Sequence, residues 1–382
     1  MFNIIVKDRK TKARTGVLIT KSGTVQTPFF MPVSTKMTAK HIGPGDLEHM
    51  RAHAIISNAF ILSMKPGVHL IKKMGGIGKF MTYPGVVFTD SGGFQMYSPN
   101  LYLGSKEGGV VFKNPFTGQK KFMTPEEDMD VQLGLGSDVA MCLDTMPLMS
   151  HSKAAVAEAV RKTTLWAGQC KKHHDKMQRG LADNKRQLLF GIIQGGIHED
   201  LRKKSAKALV KMNFSGYSIG GLALGEPKAL EYKMIEVCKK IIPERKPVYL
   251  MGAGNPLELV EAVSRGVDIF DSRFPTQNAR RGNIFTWSGK KRIMNLKHKE
   301  DKSPLDKDCD CFVCRRFTTA YVRHLLKEEE GAGFRLASYH NLYFLQRLME
   351  RMREEIKQKT FKSFLLDIRK KWTVDYGKET RN

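Results

Sequence analysis

An α/β chain closed into a (β/α)8 TIM barrel is the fold this sequence predicts, and three observations carry the prediction. Eight short apolar runs, rich in Val, Ile, Leu, Phe and Met, recur at 29–33, 54–58, 86–90, 139–144, 188–194, 217–221, 248–252 and 267–271. Such runs read as strands buried on both faces. Patterns of helical period lie between most of them, and the runs end in polar or glycine-rich clusters, as strands do at a barrel mouth.

Taken in order, the first run is Phe29-Phe30-Met31-Pro32-Val33 and the second Ala54-Ile55-Ile56-Ser57-Asn58. The third ends on Asp90 and leads directly into Ser91-Gly92-Gly93-Phe94-Gln95, and a helical pattern spans 124–135 before the fourth run, which ends on Asp144. Helical patterns then alternate with runs: 152–176, 199–212, 230–242 and 256–265 separate strands that end on Gln194, Gly221, Gly252 and Asp271. C-terminal strand ends of a barrel converge on one mouth, so these residues are expected to line a single pocket.

With 382 residues the chain holds a barrel plus one small addition. No Ser/Pro/Gly-rich linker separates distant domains, and the expected division is a barrel with N-terminal extension at 1–290 and a subdomain with C-terminal helices at 291–382. Lys and Arg number 64 against 38 Asp and Glu, a formal charge of +26 that points to a polyanionic partner. No stretch approaches eighteen apolar residues and the first fourteen lack an apolar core, so a soluble, cytoplasmic protein without a membrane partner is expected.

Among the six cysteines, Cys142, Cys170 and Cys238 stand alone in apolar or helical surroundings, where inert buried thiols are the ordinary reading. Cys309, Cys311 and Cys314 form a CxCx2C cluster. Three neighbouring thiolates need a cation, and Zn2+ takes four N or S ligands in a tetrahedron. His340 is the expected fourth ligand, at the head of an amphipathic helix running to about residue 356. His298 lies in a Lys-rich loop and His324 in the middle of a helical pattern. A closed Cys3His set leaves no position for water, so the single zinc is expected to be structural.

At the mouth, Asp90 is followed by Ser91 and the bare backbone of Gly92 and Gly93, which lets a flat ligand approach closely, while Phe94 offers a stacking face. Asp144, Gln194 and the Gly221 peptide supply acceptors and donors suited to the edge of a purine-like heterocycle. Asp90 and Asp271 are expected to face each other beside that slot. Two opposed carboxylates suggest chemistry at an N-glycosidic carbon, one as nucleophile and one handling protons. Helix capping explains any one of these aspartates but poorly explains three, since Thr and Ser already stand at the nearby helix starts.

Beyond Asp271 the sequence reads Thr276, Gln277, Asn278, Ala279, Arg280, Arg281, and eight basic residues fall between 280 and 302 against two acidic ones. A loop of amides, arginines and a hydroxyl beside the mouth suits an RNA backbone and splayed bases. Arg280 and Arg281 are also expected to favour the ionised form of Asp271.

These motifs together resemble the tRNA-guanine transglycosylases, in their compact bacterial form. The match spans nearly the whole chain: Asp90 to Gln95, Gln194-Gly195-Gly196, Gly220-Gly221-Leu222-Ala223 with Gly225-Glu226, Leu250-Met251-Gly252, Asp268-Ile269-Phe270-Asp271 and the Cys309/Cys311/Cys314/His340 set. The resemblance implies a pentosyltransferase that exchanges a tRNA guanine, at the wobble position, for a 7-deazaguanine such as 7-aminomethyl-7-deazaguanine or queuine. It places the nucleophile at Asp271, the proton-handling group at Asp90 and base recognition at Asp144, Gln194, Gly221 and Leu222, with Phe94 and Met251 sandwiching the heterocycle. It also implies RNA contacts at Gly252, Ala253, Gly254, Asn255, Glu258 and 276–280, and a homodimer. Two other readings are an archaeal-type enzyme inserting 7-cyano-7-deazaguanine in the tRNA body, and a non-catalytic RNA-binding subunit of a heterodimer. About 25 residues follow position 356, too few for the archaeal RNA-binding extension, and both aspartates are present. The chain departs from the bacterial pattern at Asp144-Thr145-Met146 and Leu224, beside the base's 7-substituent, at Asn58-Ala59-Phe60-Ile61-Leu62, which bears on a polar contact or subunit interface, and at Gln277 in the anticodon-reading segment.

Overall fold

The computed structural model describes residues 1–92, 96, 98, 100–146 and 151–372. Strands β1 (Phe2–Lys7), β2 (Arg14–Ile19) and β3 (Thr24–Thr27) pair antiparallel ahead of the barrel. The barrel is built from β4 (Phe29–Pro32), β5 (Ala54–Asn58), β6 (Val86–Asp90), β10 (Val139–Met141), β11 (Leu188–Ile193), β12 (Gly216–Ile219), β13 (Val248–Leu250) and β14 (Ile269–Ser272). A three-stranded antiparallel insertion, β7 (Tyr102–Lys106), β8 (Gly109–Lys113) and β9 (Lys120–Met123), interrupts the third βα connection, and a hairpin, β15 (Asn283–Thr286) and β16 (Gly289–Arg292), follows the last barrel strand.

The eight parallel strands run in the order β4-β14-β13-β12-β11-β10-β6-β5. The ring closes between its first and second strands: Val33 bridges Ile56, and the Ser34 N–H donates to the Ile56 carbonyl at 2.7 Å. Each of the eight apolar runs is thus a barrel strand. The fourth is shorter than its run, because the chain leaves the sheet after Met141 and Asp144 sits on the connection beyond it. The eighth starts two residues late. Asp268 spends its carboxylate on the Arg14 guanidinium, at 2.9 and 2.6 Å, and on the Val248 N–H at 2.8 Å. Both members of that ion pair are buried, so it pins the N-terminal sheet to the floor of the barrel, and removing one partner costs about 3–5 kcal/mol.

Inside the ring, alternate strand residues fill the space as the period of two dictates. Phe88 is the hub, its ring edge-on to Phe29 (6.1 Å), Phe190 (6.0 Å) and Tyr249 (6.3 Å). These aromatics make a solid floor beneath the mouth. The helices Pro125–Leu135, Lys153–Met177, Glu199–Lys211, Lys228–Lys239 and Pro256–Ser264 pack outside, close to the expected spans. Thr124 and Ser152 cap the first two, accepting from Glu127 N–H (3.1 Å) and Ala155 N–H (3.3 Å).

Two expectations need correction. Residues 274–280, expected as a loop, form helix Phe274–Arg280, started by Pro275 in its first turn. His340 does not head its helix: the helix is Gly331–Gln358, and His340 lies in its third turn. Gly331 and Gly333 disguise that start in the sequence. Gly333 is there for contact, since a Cβ would come within 2.7 Å of the Leu325 side chain in helix Thr319–Lys327. Among the described residues, no helix is long and apolar enough to cross a membrane.

Candidate active site

Asp90 and Asp271 sit at the mouth in contrasting settings. The Asp271 carboxylate accepts from the Tyr249 hydroxyl at 2.5 Å and from the Gly252 N–H at 3.1 Å. Burial pushes its pKa up; these two donors and the nearby Arg273 charge pull it back. Arg273 is the cation that acts here, in place of the expected Arg280 and Arg281. Asp90 is raised to about 7, first by burial and then by the like charge of Asp271, with Asn58, Gly92 and Ala59 opposing. Its Oδ1 is buried and has no hydrogen-bond partner among the described residues. Both carboxyls are thus raised by burial, but one has two donors and a cation that favour its anion, while the other is poised to hold or release a proton near neutrality.

Asp144 and Gln194 come together as expected. The Gln194 side-chain amide donates to Asp144 at 2.6 Å, which fixes the amide and leaves Oε1 buried without a partner among the described residues. Asp144 is raised to about 6 by burial, with the Gln194 bond opposing. Gly220 and Gly221 are small because Gln194 lies on them: a Cβ at either would come within 2.7 or 2.6 Å of its amide, and Gly221 has φ of +63°. Leu222 is buried and Met251 half-buried beside the mouth. Gly92 at φ +75° packs against Phe60, where a Cβ would clash at 2.1 Å. Ser91 is buried. Gly93 and Phe94 lie outside the described residues.

The expected RNA contacts divide. Asn255 caps helix Pro256–Ser264 by accepting from the Leu257 N–H at 3.0 Å, and Glu258 pairs with Lys228 at 2.6 Å, so both side chains have structural partners. Gly252 (φ +83°), Ala253 and Gly254 form the turn between them and β13, and a Cβ on Gly254 would meet Ser272 at 2.6 Å. On helix Phe274–Arg280, Thr276, Asn278 and Ala279 face inward, with the Asn278 amide donating to the Phe274 carbonyl, while Gln277 is exposed. Arg280 is half-buried, and its Nη1 has no partner among the described residues.

Sequence reading missed two supporting residues and left a third without a role. Tyr249 orients Asp271, and its signal was a tyrosine at the centre of a three-residue strand whose alternate side chains fill the barrel. Arg202, fully buried, donates to the carbonyls of Ile193 (2.9 Å), Gly196 (2.8 Å), Gly220 (2.7 Å) and Gly221 (3.2 Å), tying the ends of β11 and β12 into one rim. A lone arginine on the apolar stripe of helix Glu199–Lys211 was its trace. Glu226 accepts from Ala223 N–H (2.6 Å) and Leu224 N–H (2.9 Å), setting the turn after Leu222. The sequence placed it in the Gly225-Glu226 motif but gave it no role.

Away from the mouth, Cys309, Cys311, Cys314 and His340 bring their ligand atoms within 4.8 Å of one another, a metal-binding group. His340 Nε2–H donates to the Phe285 carbonyl at 2.8 Å, which leaves the Nδ1 lone pair facing the sulfurs at 3.3–3.8 Å. A ring oriented from its far nitrogen is the usual second partner of a metal-ligating histidine, so the donor set fits one structural ion.

The family model described as Queuine tRNA-ribosyltransferase matches residues 8–374. The chain is 44% identical over 376 residues to the Queuine tRNA-ribosyltransferase of Thermoanaerobacter sp. (strain X514), covering 98% of this chain and 97% of that protein. It is 43% identical over 374 residues to those of Pelotomaculum thermopropionicum (strain DSM 13744 / JCM 10971 / SI) and Staphylococcus aureus (strain bovine RF122 / ET3-1), covering 98% of this chain in each case and 99% and 96% of the relatives.

Proposed function

The chain belongs to the queuine tRNA-ribosyltransferase family of pentosyltransferases, and from that premise we propose that it replaces the wobble guanine of a tRNA anticodon with a 7-deazaguanine, 7-aminomethyl-7-deazaguanine or queuine, by way of an aspartyl-RNA intermediate. The observation that carries the mechanism is the unequal pair of carboxyls at one mouth: Asp271 held by Tyr249 and Gly252, and Asp90 raised to about 7 with a buried oxygen that has no partner among the described residues.

In this reading Asp271 attacks C1′ of the target nucleotide. A bond from its carboxylate oxygen to C1′ forms as the glycosidic bond breaks, and the electron pair leaves with the guanine, which takes a proton from Asp90. The incoming base gives its own ring N–H proton to Asp90 as that nitrogen bonds to C1′, and the Asp271–C1′ bond breaks to restore the carboxylate, so the phosphodiester backbone stays intact. Asp144 and the Gln194 Oε1 read the polar edge of the base, Gly221 and Leu222 supply backbone groups, and Met251 with Phe94 covers its faces. A base held this way keeps water from the glycosyl ester, which favours exchange over hydrolysis. Gly252, Ala253, Gly254, Gln277 and Arg280 then present backbone and side-chain donors to the anticodon loop. The ion at Cys309, Cys311, Cys314 and His340 is read as one Zn2+ that braces the C-terminal subdomain and takes no part in the chemistry. The reaction belongs with tRNA in the cytoplasm.

The test is a denaturing gel of enzyme with tRNA and a competing deazapurine, with adduct mapping by mass spectrometry. Wild type should give a covalent RNA adduct at Asp271. Asp271→Asn should keep tRNA affinity within about twofold and give none, since only the charge that attacks is lost. An adduct that persists in that variant, or maps elsewhere, removes Asp271 from the role.

A further inference from the structure

The inserted sheet β7–β9 is an unusual object to find on a barrel. It interrupts the connection that follows Asp90, and βα connections lie on the mouth side. One face is structural: Val110, Phe112 and Met123 are buried, and Phe112 packs edge-on against Phe60 at 4.8 Å. Helix Lys153–Met177 holds the sheet from the side. The Trp166 indole donates to the Glu107 carbonyl at 2.6 Å, Lys162 donates to the Ser105 hydroxyl at 3.0 Å, and Arg161 pairs with Glu107 at 2.8 Å. The platform is therefore fixed to the barrel at several points.

The other face has no structural use among the described residues. Register places Lys106, Val111, Lys113, Lys120 and Phe122 on it: Lys106 opposes Gly109, Val111 opposes Phe122, and Lys113 opposes Lys120. Lys106, Lys113, Lys120, Lys121 and Phe122 are exposed, and none of the four lysines has an ion-pair partner among the described residues. The one acid between residues 100 and 123, Glu107, is already matched by Arg161. Two lysines directly opposite each other in an antiparallel pair repel, so this arrangement costs stability that a surface without a partner has no reason to carry. A shallow hollow of about 230 Å³ is lined by Lys106, Lys120, Lys121, Val111 and the 43% exposed ring of Phe122. Phe116, in the β8–β9 connection and also 43% exposed, has the Lys65 ammonium 5.8 Å from its ring centroid.

We propose that this outer face is a second RNA-binding surface, on which Lys106, Lys113 and Lys120 neutralise phosphates and Phe122 stacks an unpaired base. The proposal rests on the tRNA-modifying reading above. Lysines interleaved with exposed aromatics on a rigid sheet are the combination that holds single-stranded or looped RNA without reading its sequence. Its position suits a tRNA entering the mouth. Around the closed ring β14, which precedes the basic hairpin, is three strands from β6, which precedes this sheet, so the two basic surfaces flank the mouth from different sides. A single RNA seated over Asp90 and Asp271 reaches both.

The test uses the full chain, bulk tRNA as probe, and two variants: the triple Lys106→Ala/Lys113→Ala/Lys120→Ala, and Phe122→Ala. The triple variant should weaken tRNA binding roughly tenfold and flatten the dependence of log affinity on log salt by about 0.7–0.9 for each phosphate no longer neutralised. Its melting temperature should not fall, because the Lys113/Lys120 repulsion is gone. Phe122→Ala should weaken binding with the salt slope unchanged, as loss of stacking requires. Unchanged affinity and slope in both variants overturn the proposal, and so does a change confined to self-association in sedimentation, which would make the face a contact between copies. Guanine exchange measured beside binding separates the two readings. A wild type that binds tRNA through this face and exchanges no guanine sinks the transglycosylase reading and leaves the surface standing.

Discussion

Asp90 and Asp271 show how position on a strand end turns one side chain into two chemical groups. Asp271, raised by burial, receives two hydrogen bonds that favour its anion, whereas Asp90 is raised to about 7 by burial and by Asp271 itself. The folded protein therefore keeps the Asp90 proton between the ordinary carboxylate range and about pH 7, where the unfolded chain has lost it. Stability falls as pH rises through that window, because the native state binds more protons than the unfolded one. Asp144, raised to about 6, acts in the same direction. Asp90→Asn removes its share, so in urea unfolding the variant should gain on wild type steadily from pH 4 to pH 7 and hold that advantage above. A difference independent of pH would show that Asp90 carries no proton in the folded state. In exchange kinetics the wild-type limb near pH 7 belongs to the two carboxyls as a pair, and Asp90→Asn should not sustain exchange.

At the scale of elements, the metal-binding group of the C-terminal region is drawn from two segments. Cys309, Cys311 and Cys314 lie on and beside helix Phe312–Arg316, and His340 comes from the long helix Gly331–Gln358. The fixed His340 ring also connects to β15 through the Phe285 carbonyl, so an ion held by the four side chains would join helix, cysteine loop and hairpin. Metal analysis after dialysis should give close to one zinc per chain. Cys311→Ala should lose it and raise amide exchange in helix Thr319–Lys327 while the barrel strands stay protected, since structural zinc contributes on the order of 10 kcal/mol to folding of what it joins. A metal-free protein with full protection in that helix would dismiss the ion. Lys291 belongs to the same framework. It pairs with Asp301 at 3.2 Å and donates to Thr319 at 2.9 Å, so it is a strut of the subdomain and a poor probe of RNA contact.

For the whole molecule, the +26 charge is a long-range property, and its effect should be read in salt dependence. Lys297, Lys299 and Lys302 are exposed on the segment after the hairpin and have no ion-pair partner among the described residues. Replacing all three with Ala should flatten the salt slope of tRNA binding by about 0.7–0.9 for each phosphate they neutralise, and a slope equal to wild type would place the RNA elsewhere. Sequence alone determined the barrel, because eight buried strands write themselves as apolar runs at regular intervals and their ends must meet at one mouth. It determined the metal group as well, because three cysteines within six residues admit few other uses. It could not show the N-terminal sheet, the insertion β7–β9 or helix Phe274–Arg280, whose short segments carry little periodicity. Nor could it show Tyr249 on Asp271, Arg202 across four carbonyls, or Lys113 opposite Lys120. Tertiary structure decided these, since each is a contact between residues or a strand register that exists only once the chain has folded, and a buried partner changes a side chain's charge state without changing its letter in the sequence.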